Sequence, residues 1–291
     1  MTSPSQDEEL ESLLPLDEHE EEFSEGGKKV RRRGIYILPN LLTLGALFAG
    51  FYAIIAGMSG YFNEAGWAIL AAAVFDGLDG RVARLTGTQS AFGAQFDSLS
   101  DMVSFGMAPA LISFSWALSS LGSAGWAASF IYISCAALRL ARFNVQLGTV
   151  DKRFFVGLQS PLAAGLVTFM IWVGAKYEVE VTPLIAFLMA ILTVFAGLLM
   201  ISNYKYYSFK EMHFRGTVPY MVLVLFVILL VLIAQNPHEV LLSMCVVYAA
   251  SGPAIWLYRK HFSPVKPLAI PVKRPRKTAS RVPAKERDKT E

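Results

Sequence analysis

Long apolar stretches dominate the chain and alternate with short polar connections. A helix needs roughly 20 apolar residues to cross the hydrocarbon core of a bilayer. By that length the sequence predicts eight spans, near 35–57, 65–83, 97–118, 124–146, 160–176, 182–202, 217–235 and 239–258. We therefore expect an all-α polytopic membrane protein with about eight transmembrane helices.

Charged residues are concentrated at the two ends of the chain. Only 17% of the 291 residues are charged, against roughly a quarter in a soluble domain, and the 225 residues from Gly34 to Tyr258 carry 20 of these charges. Residues 1–33 form an acidic stretch followed by a basic juxtamembrane block, and 263–291 are basic and Pro-rich. Such compositions favour a disordered N-terminal tail and an extended C-terminal tail. The predicted division is a tail over 1–33, a membrane domain over 34–235, an additional helix over 236–262 and a tail over 263–291.

The distribution of basic residues predicts the orientation of the spans. If the N-terminus is cytosolic, eight spans place every Lys and Arg except Lys176 on the inner side, as the positive-inside rule requires. We expect an integral protein of the cytoplasmic membrane with both termini in the cytosol. The net charge of +3 averages an acidic head and a basic tail, so it does not indicate nucleic-acid binding. Two cysteines in apolar stretches and four scattered histidines argue against a disulfide framework or a zinc site.

Four of the five aspartates in the membrane region lie close together in sequence. Asp76 and Asp79 are three residues apart, and Asp97 and Asp101 are four apart, so each pair shares one face of a helix. A carboxylate within a membrane helix costs about 2.5–3.5 kcal/mol on insertion scales, and four together repel one another. The cluster therefore implies a compensating positive charge.

Oxygen ligands without Cys or His suit Mg²⁺ or Mn²⁺, and a pair of such ions is typical of phosphoryl transfer. Arg84, one turn beyond Gly80, offers a partner for a phosphate. A structural alternative stays open: Asp76 or Asp79 pairs with Arg81 or Arg84, and the nearby glycines only permit close helix packing.

The region reads Asp76-Gly-Leu-Asp79-Gly80-Arg-Val-Ala83-Arg84, then eight residues, then Gly93-Ala-Gln-Phe-Asp97-Ser-Leu-Ser-Asp101. It resembles the signature of the CDP-alcohol phosphatidyltransferase family, D-x-x-D-G-x-x-A-R followed by G-x-x-x-D-x-x-x-D. The resemblance implies a membrane enzyme with a six-helix catalytic core, usually a homodimer, that uses two divalent cations. It transfers a phosphatidyl group from a CDP-linked lipid to an alcohol and releases CMP.

The resemblance also implies roles for individual residues. Asp76, Asp79 and Asp97 match metal ligands, and Asp101 matches both a ligand and the general base that deprotonates the attacking hydroxyl. The residues expected to bind the nucleotide or the CDP-lipid are Gly80, Ala83, Arg84, Ser90, Gly93, Asn40 and Thr43. For Asn40 and Thr43, hydrogen bonding that satisfies the end of the first helix is the alternative.

Four further stretches resemble the type II phosphatidylserine synthase branch of that family: SDMVSFGMAPA (100–110), ALRLARFNV (137–145), GLQSPLAAG (157–165) and MISNYKYYSFK (200–210). This implies CDP-diacylglycerol as the donor and L-serine as the acceptor. The residues expected to bind serine are Arg139, Arg142, Asn144, Ser104 and Pro109. Arg139 and Arg142 can equally bind a lipid phosphate or only mark the cytosolic side.

Other functions remain alternatives at this point. The acceptor can instead be glycerol 3-phosphate, an inositol phosphate or another amino alcohol. A membrane cation transporter also binds ions through carboxylates, but it needs polar residues across the whole bilayer depth. A lipid-binding scaffold has no need of four clustered carboxylates.

Overall fold

The computed structural model describes residues 23–25, 28–30, 37–88, 90–146, 154–207 and 220–262. Within these residues the chain forms nine α-helices, two of which are joined into one continuous segment, so that there are eight helical segments. This confirms the predicted all-α architecture. The helices are α1 (Ile37–Met58), α2 (Phe62–Thr86), α3 (Ala91–Asp101), α4 (Ala108–Trp116), α5 (Ser123–Gln146), α6 (Ser160–Lys176), α7 (Pro183–Ile201), α8 (Tyr220–Gln235) and α9 (Pro237–Phe262). A π-helical turn, Met102–Met107, joins α3 to α4, so 91–116 is one continuous segment, and a 3₁₀ turn, Leu118–Leu121, follows it.

The described residues also contain two pairs of three-residue strands. Strand β1 (Phe23–Glu25) pairs antiparallel with β2 (Lys28–Val30), inside the tail that was predicted to be disordered. Strand β3 (Phe154–Val156) pairs antiparallel with β4 (Lys205–Tyr207). The rest of the 1–33 tail, which includes Arg31, Arg32 and Arg33 of the basic juxtamembrane block, and the whole 263–291 tail lie outside the described residues.

The ends of the helices follow from local sequence. Ser90 and Thr182 are N-cap residues whose side chains accept hydrogen bonds from Gly93 N and Ile185 N. Such caps satisfy backbone donors that have no partner within the helix. Gly87 ends α2 with a φ of 64°, a left-handed conformation that glycine adopts without steric cost.

Four of the described helices are long and apolar enough to cross a membrane: Leu38–Met58, Ser123–Val145, Pro183–Ile201 and Pro237–Tyr258. Ser160–Lys176 and Tyr220–Gln235 are apolar but shorter. The other two predicted spans correspond to α2 and to the 91–116 segment, which carry the aspartates. Many large apolar side chains on the outer surface of the bundle are exposed, for example Phe48, Phe187 and Leu225, as expected of helices in contact with lipid.

Helix α1 packs against both segments that carry the aspartates. It contacts α2, α3, the π-helical turn and α4. The helix and the turn approach closely at Gly50, where an added Cβ would lie 2.6 Å from the Cα of Ser104. Because only a glycine permits this distance, Gly50 sets how closely α1 and the π-helical turn approach. We name the end of the bundle where the four aspartates lie the aspartate end.

The π-helical turn follows directly after Asp101. Pro109 lies four residues beyond Phe105 and has no N–H to donate to the Phe105 carbonyl. The hydroxyl of Tyr132 on α5 donates to that oxygen instead, at 3.0 Å, and both Tyr132 and Phe105 are fully buried. The irregular turn is thus held by a side chain from a neighbouring helix, and π-turns of this kind often occur at functional sites.

Candidate active site

Three of the four signature carboxylates converge at the aspartate end. One carboxylate oxygen each from Asp76, Asp97 and Asp101 lies within 4.8 Å of the others. Asp76 lies on α2, and Asp97 and Asp101 lie one turn apart on α3. All three are partly buried rather than fully exposed. Two helices that are adjacent in the chain therefore direct their carboxylates toward one point.

Asp79 lies next to this group but has a different environment. Its side chain is 5% exposed, and its Oδ2 accepts a hydrogen bond of 2.6 Å from the hydroxyl of Thr43 on α1. The charge of Asp79 acts on both Asp76 and Asp97, so it belongs to the same electrostatic cluster. Thr43 was expected either to face the nucleotide or to satisfy the end of the first helix. Its hydroxyl contacts the carboxylate of Asp79 and lies 3.1 Å from the carbonyl oxygen of Pro39, and its expected role in nucleotide binding stays a prediction.

Helix α1 is fastened to α3 and the π-helical turn by two further hydrogen bonds. The Ser100 hydroxyl donates to the carbonyl oxygen of Thr43 at 3.2 Å, and the Ser104 hydroxyl donates to that of Ala46 at 3.0 Å. Both serines are buried. These bonds fix the helices that carry Thr43 and Asp101 relative to each other. Ser104 therefore has a packing role in the structure, and its expected role in acceptor binding stays a prediction.

The turn that leads into α3 brings three predicted nucleotide-binding residues together. Ser90 Oγ accepts a hydrogen bond of 2.9 Å from Gly93 N. A Cβ added at Gly93 would lie 3.1 Å from Ser90 Oγ and 3.5 Å from Oδ1 of Asn40. Asn40, Ser90 and Gly93 thus form one small polar surface at the aspartate end. The hydroxyl of Ser90 caps α3 in this arrangement.

On α2, Arg84 and Gly80 are neighbours in space as well as in sequence. A Cβ added at Gly80 would lie 3.6 Å from Nη1 of Arg84, so the guanidinium lies beside the glycine. The Arg84 side chain is exposed. The carbonyl oxygen of Ala83 accepts hydrogen bonds from the backbone at the end of α2. Arg84 thus provides a positive charge one turn beyond Asp79 and Gly80.

The predicted acceptor residues separate into different environments. Arg139 on α5 donates from Nη1 to the buried hydroxyl of Ser160, the first residue of α6. Its positive charge acts on the carboxylates of Asp76 and Asp101. Arg139 therefore lies near enough to the carboxylates to interact with them electrostatically, and its expected role in binding serine stays a prediction.

Arg142 points elsewhere. Its guanidinium donates to the carbonyl oxygen of Ile201 at 3.3 Å and to Oδ1 of Asn203 at 2.9 Å. These acceptors lie at and just beyond the end of α7, so Arg142 ties α5 to α7. Arg142 was expected to hold serine together with Arg139, and this geometry favours a structural role.

Asn144 and Pro109 complete the set. Ser98 follows directly after Asp97, and its hydroxyl contacts the side-chain amide of Asn144. Nδ2 of Asn144 lies 3.0 Å from this hydroxyl as a donor, and Oδ1 lies 3.3 Å from it as an acceptor. Pro109 is buried at the start of α4, two turns deeper than Asp101.

The sequence did not indicate Ser98 and Ser160 as residues of the site. Each is a common residue in an ordinary helical position, and only its contact with a distant helix distinguishes it.

The residues present fit a divalent cation. Three convergent carboxylates and a fourth beside them form an all-oxygen donor set with excess negative charge, which Mg²⁺ and Mn²⁺ prefer.

Comparison with known proteins gives a consistent assignment. A family model described as CDP-alcohol phosphatidyltransferase matches residues 36–201. A CDP-diacylglycerol–serine O-phosphatidyltransferase of Helicobacter pylori is 39% identical over 225 residues, which is 77% of this chain and 92% of that protein. A protein of the same name from Methanocaldococcus jannaschii is 37% identical over 179 residues, 62% of this chain and 77% of its own length. An archaetidylserine synthase of Methanothermobacter thermautotrophicus is 36% identical over 180 residues, 58% of this chain and 69% of its own length. With a family match over more than half of its length, including all four aspartates, the chain belongs to the CDP-alcohol phosphatidyltransferase family.

Proposed function

We propose that this enzyme transfers the phosphatidyl group of CDP-diacylglycerol to the hydroxyl of L-serine, forming phosphatidylserine and CMP. The observation that carries the proposal is the convergence of Asp76, Asp97 and Asp101 within 4.8 Å, with Asp79 beside them. The names of the relatives support the acceptor. Proteins named for transfer to serine cover up to 77% of this chain.

The four aspartates are the proposed ligands of two divalent cations, Mg²⁺ or Mn²⁺. Such ions, when bound, polarise a phosphate and stabilise the oxygen that leaves. Thr43 holds the Asp79 carboxylate in place through its 2.6 Å hydrogen bond. Outer contacts of this type set the orientation of a ligand.

Asp101 is the proposed general base. An alcohol is a weak nucleophile until its proton is removed, and a carboxylate within hydrogen-bonding reach can accept that proton as the attack proceeds. The serine oxygen forms a bond to the phosphorus that carries diacylglycerol, while the bond from that phosphorus to the oxygen of CMP breaks. The proton passes to Asp101, and CMP departs with the electron pair of the broken bond.

Cationic side chains around the carboxylates are the proposed substrate contacts. Arg84, which lies beside Gly80, is the proposed partner of the phosphates of the CDP group, since a guanidinium pairs well with phosphate. Arg139, whose charge acts on Asp76 and Asp101, is the proposed partner of the carboxylate of serine. We assign Arg142 no contact with serine, because its donors serve the end of α7.

The orientation and assembly of the enzyme form part of the proposal. The distribution of Lys and Arg supports cytosolic termini and an active site at the cytosolic face of the membrane. The family resemblance favours a homodimer.

Asp101→Asn tests the assignment of the base. We expect the variant to fold and to bind CDP-diacylglycerol, while its turnover with serine falls by at least about 100-fold. Glu64→Gln is the matched control, because it makes the same change in the first turn of α2, far from the aspartate end, and it should retain activity. CMP release by Asp101→Asn at the wild-type rate would overturn the assignment. If serine does not react but glycerol 3-phosphate or an inositol phosphate does, the proposed acceptor is wrong and the proposed phosphatidyl transfer is retained.

A further inference from the structure

Helix α9 lies beyond the part of the chain that the family model matches, yet it is closely packed at the aspartate end. The fully buried ring of Tyr206 lies against it. A Cβ added at Gly252 would come within 2.4 Å of Cζ of Tyr206. The absence of a side chain at Gly252 thus makes room for the tyrosine ring. The ring of Tyr206 also stacks on that of Tyr248, with centroids 5.3 Å apart.

The hydroxyl of Tyr206 has a specific partner on α9. It donates a hydrogen bond of 3.1 Å to the carbonyl oxygen of Ala249. Pro253 lies four residues later within α9 and has no N–H with which to satisfy that carbonyl. Burial raises the pKa of Tyr206 to about 12, so its hydroxyl stays protonated and remains a donor at physiological pH. One side chain therefore satisfies the backbone position that Pro253 leaves open.

The same tyrosine is joined to the segment that leads into α6. In the β3–β4 pair, Tyr206 is the partner of Phe155. Two residues later, Gly157 N donates to the carbonyl oxygen of Tyr204 at 2.9 Å, and Leu158 N donates to that of Leu199 at 3.0 Å. Residues 154–158 are thus held against the end of α7 and against the residues that follow it, which include Tyr206.

This segment ends at the residue that binds Arg139. Gln159 is the N-cap of α6, and its amide donates a long hydrogen bond of 3.4 Å to the Tyr248 hydroxyl on α9. The next residue, Ser160, accepts a hydrogen bond from Nη1 of Arg139. A continuous series of contacts therefore runs from α9 through Tyr206 and the 154–160 segment to Arg139.

We propose that Tyr206 is a positioning residue through which α9 fixes the 157–160 segment and thereby holds Arg139 in the orientation that binds the carboxylate of the acceptor. This rests on the proposed function, since it takes serine as the acceptor. It gives α9 a role in acceptor affinity in addition to anchoring. The proposed donor contacts lie on α1, on α2 and at the start of α3, outside this series of contacts, so affinity for CDP-diacylglycerol should not depend on Tyr206.

Tyr206→Phe is the direct test, because it removes the hydroxyl and keeps the ring stacked on Tyr248. We expect the KM for serine to rise about three- to tenfold, the range that corresponds to one lost hydrogen bond. The kcat and the KM for CDP-diacylglycerol should stay within about twofold, because weaker uniform binding of one substrate raises its KM alone. Gly252→Ala, which displaces the same ring, should shift the serine KM in the same direction.

Tyr177→Phe is the matched control. It also removes a tyrosine hydroxyl that contacts α9, since Tyr177 donates to Oε1 of Glu239 at 2.8 Å, but at the opposite end of the bundle. It should leave the KM for serine unchanged. An equal rise in the KM for serine in Tyr206→Phe and Tyr177→Phe would show a general effect of loosening α9 and would contradict a specific role of Tyr206. A Tyr206→Phe enzyme with the wild-type KM for serine would also overturn the proposal.

Hydrogen exchange provides a readout that does not depend on the substrate. The amides of Gly157 and Leu158 should lose protection in Tyr206→Phe and keep it in Tyr177→Phe. If the wild-type enzyme does not use serine, the proposed function fails, and exchange still decides whether Tyr206 holds the segment. Unchanged protection in Tyr206→Phe would overturn the positioning role even in an enzyme that uses serine.

Discussion

The hydrogen bond from Thr43 to Asp79 offers a sensitive test of the site. Thr43→Val removes the hydroxyl and keeps nearly the same shape, so the 2.6 Å bond to a carboxylate that is 5% exposed is lost without a large cavity. A hydrogen bond to a charged group contributes about 1.5–3 kcal/mol. Since about 1.4 kcal/mol corresponds to a tenfold change, the expected loss in cation affinity is about 10- to 100-fold, as found when outer contacts of metal ligands are removed.

The assay measures the rate of CMP release as a function of the concentration of Mg²⁺ or Mn²⁺, with both substrates at saturating concentrations. Thr43→Val should raise the cation concentration for half-maximal rate by about 10- to 100-fold. Thr43→Ser retains the hydroxyl and should stay within about threefold of the wild type. If Thr43→Val titrates like the wild type, Asp79 is not a ligand that Thr43 orients, and that part of the account is wrong.

Three more predictions concern packing, the two arginines of α5 and the cations. Gly50→Ala places a Cβ against the backbone of Ser104. The overpacking should destabilise the fold by about 1–3 kcal/mol and lower the midpoint of thermal unfolding in detergent. Gly77→Ala is the control and should not lower that midpoint, because nothing lies within 4 Å of a Cβ added at Gly77. Arg142→Gln should reduce thermal stability and leave the KM for serine within about twofold, whereas Arg139→Gln should raise that KM by about tenfold or more; equal effects on KM would contradict the separation of their roles. A chelator should abolish turnover and added Mg²⁺ or Mn²⁺ should restore it, while activity that persists in the chelator would exclude the proposed cations.

The helices were predictable because the physics that forms them is local. Apolar stretches near 20 residues long are what a bilayer requires, and the predicted span 160–176 coincides with α6, Ser160–Lys176. The convergence of Asp97 and Asp101 was also predictable, because residues four apart share a helix face. Short irregular features such as the π-helical turn at Met102–Met107 have no comparable pattern in the sequence.

Contacts between helices were not predictable, because they depend on how each helix is rotated about its axis. Thr43 and Asp79 are 36 residues apart, and no periodicity indicates that Thr43 faces α2 and orients a carboxylate. Arg139 and Arg142 are neighbours on one helix, yet one borders the carboxylates while the other binds the end of α7. The contact of Tyr206 with α9 likewise depends on a gap at Gly252 that only the packed structure reveals.

Chemical specificity is the central claim, and one measurement tests it most directly. Purified enzyme would be supplied with CDP-diacylglycerol, Mg²⁺ or Mn²⁺ and isotopically labelled L-serine, and both products would be quantified. The account predicts labelled phosphatidylserine and CMP in equal amounts, with neither formed when serine is omitted. CMP release that does not depend on serine, or no phosphatidylserine from an enzyme that reacts with another alcohol, would contradict it.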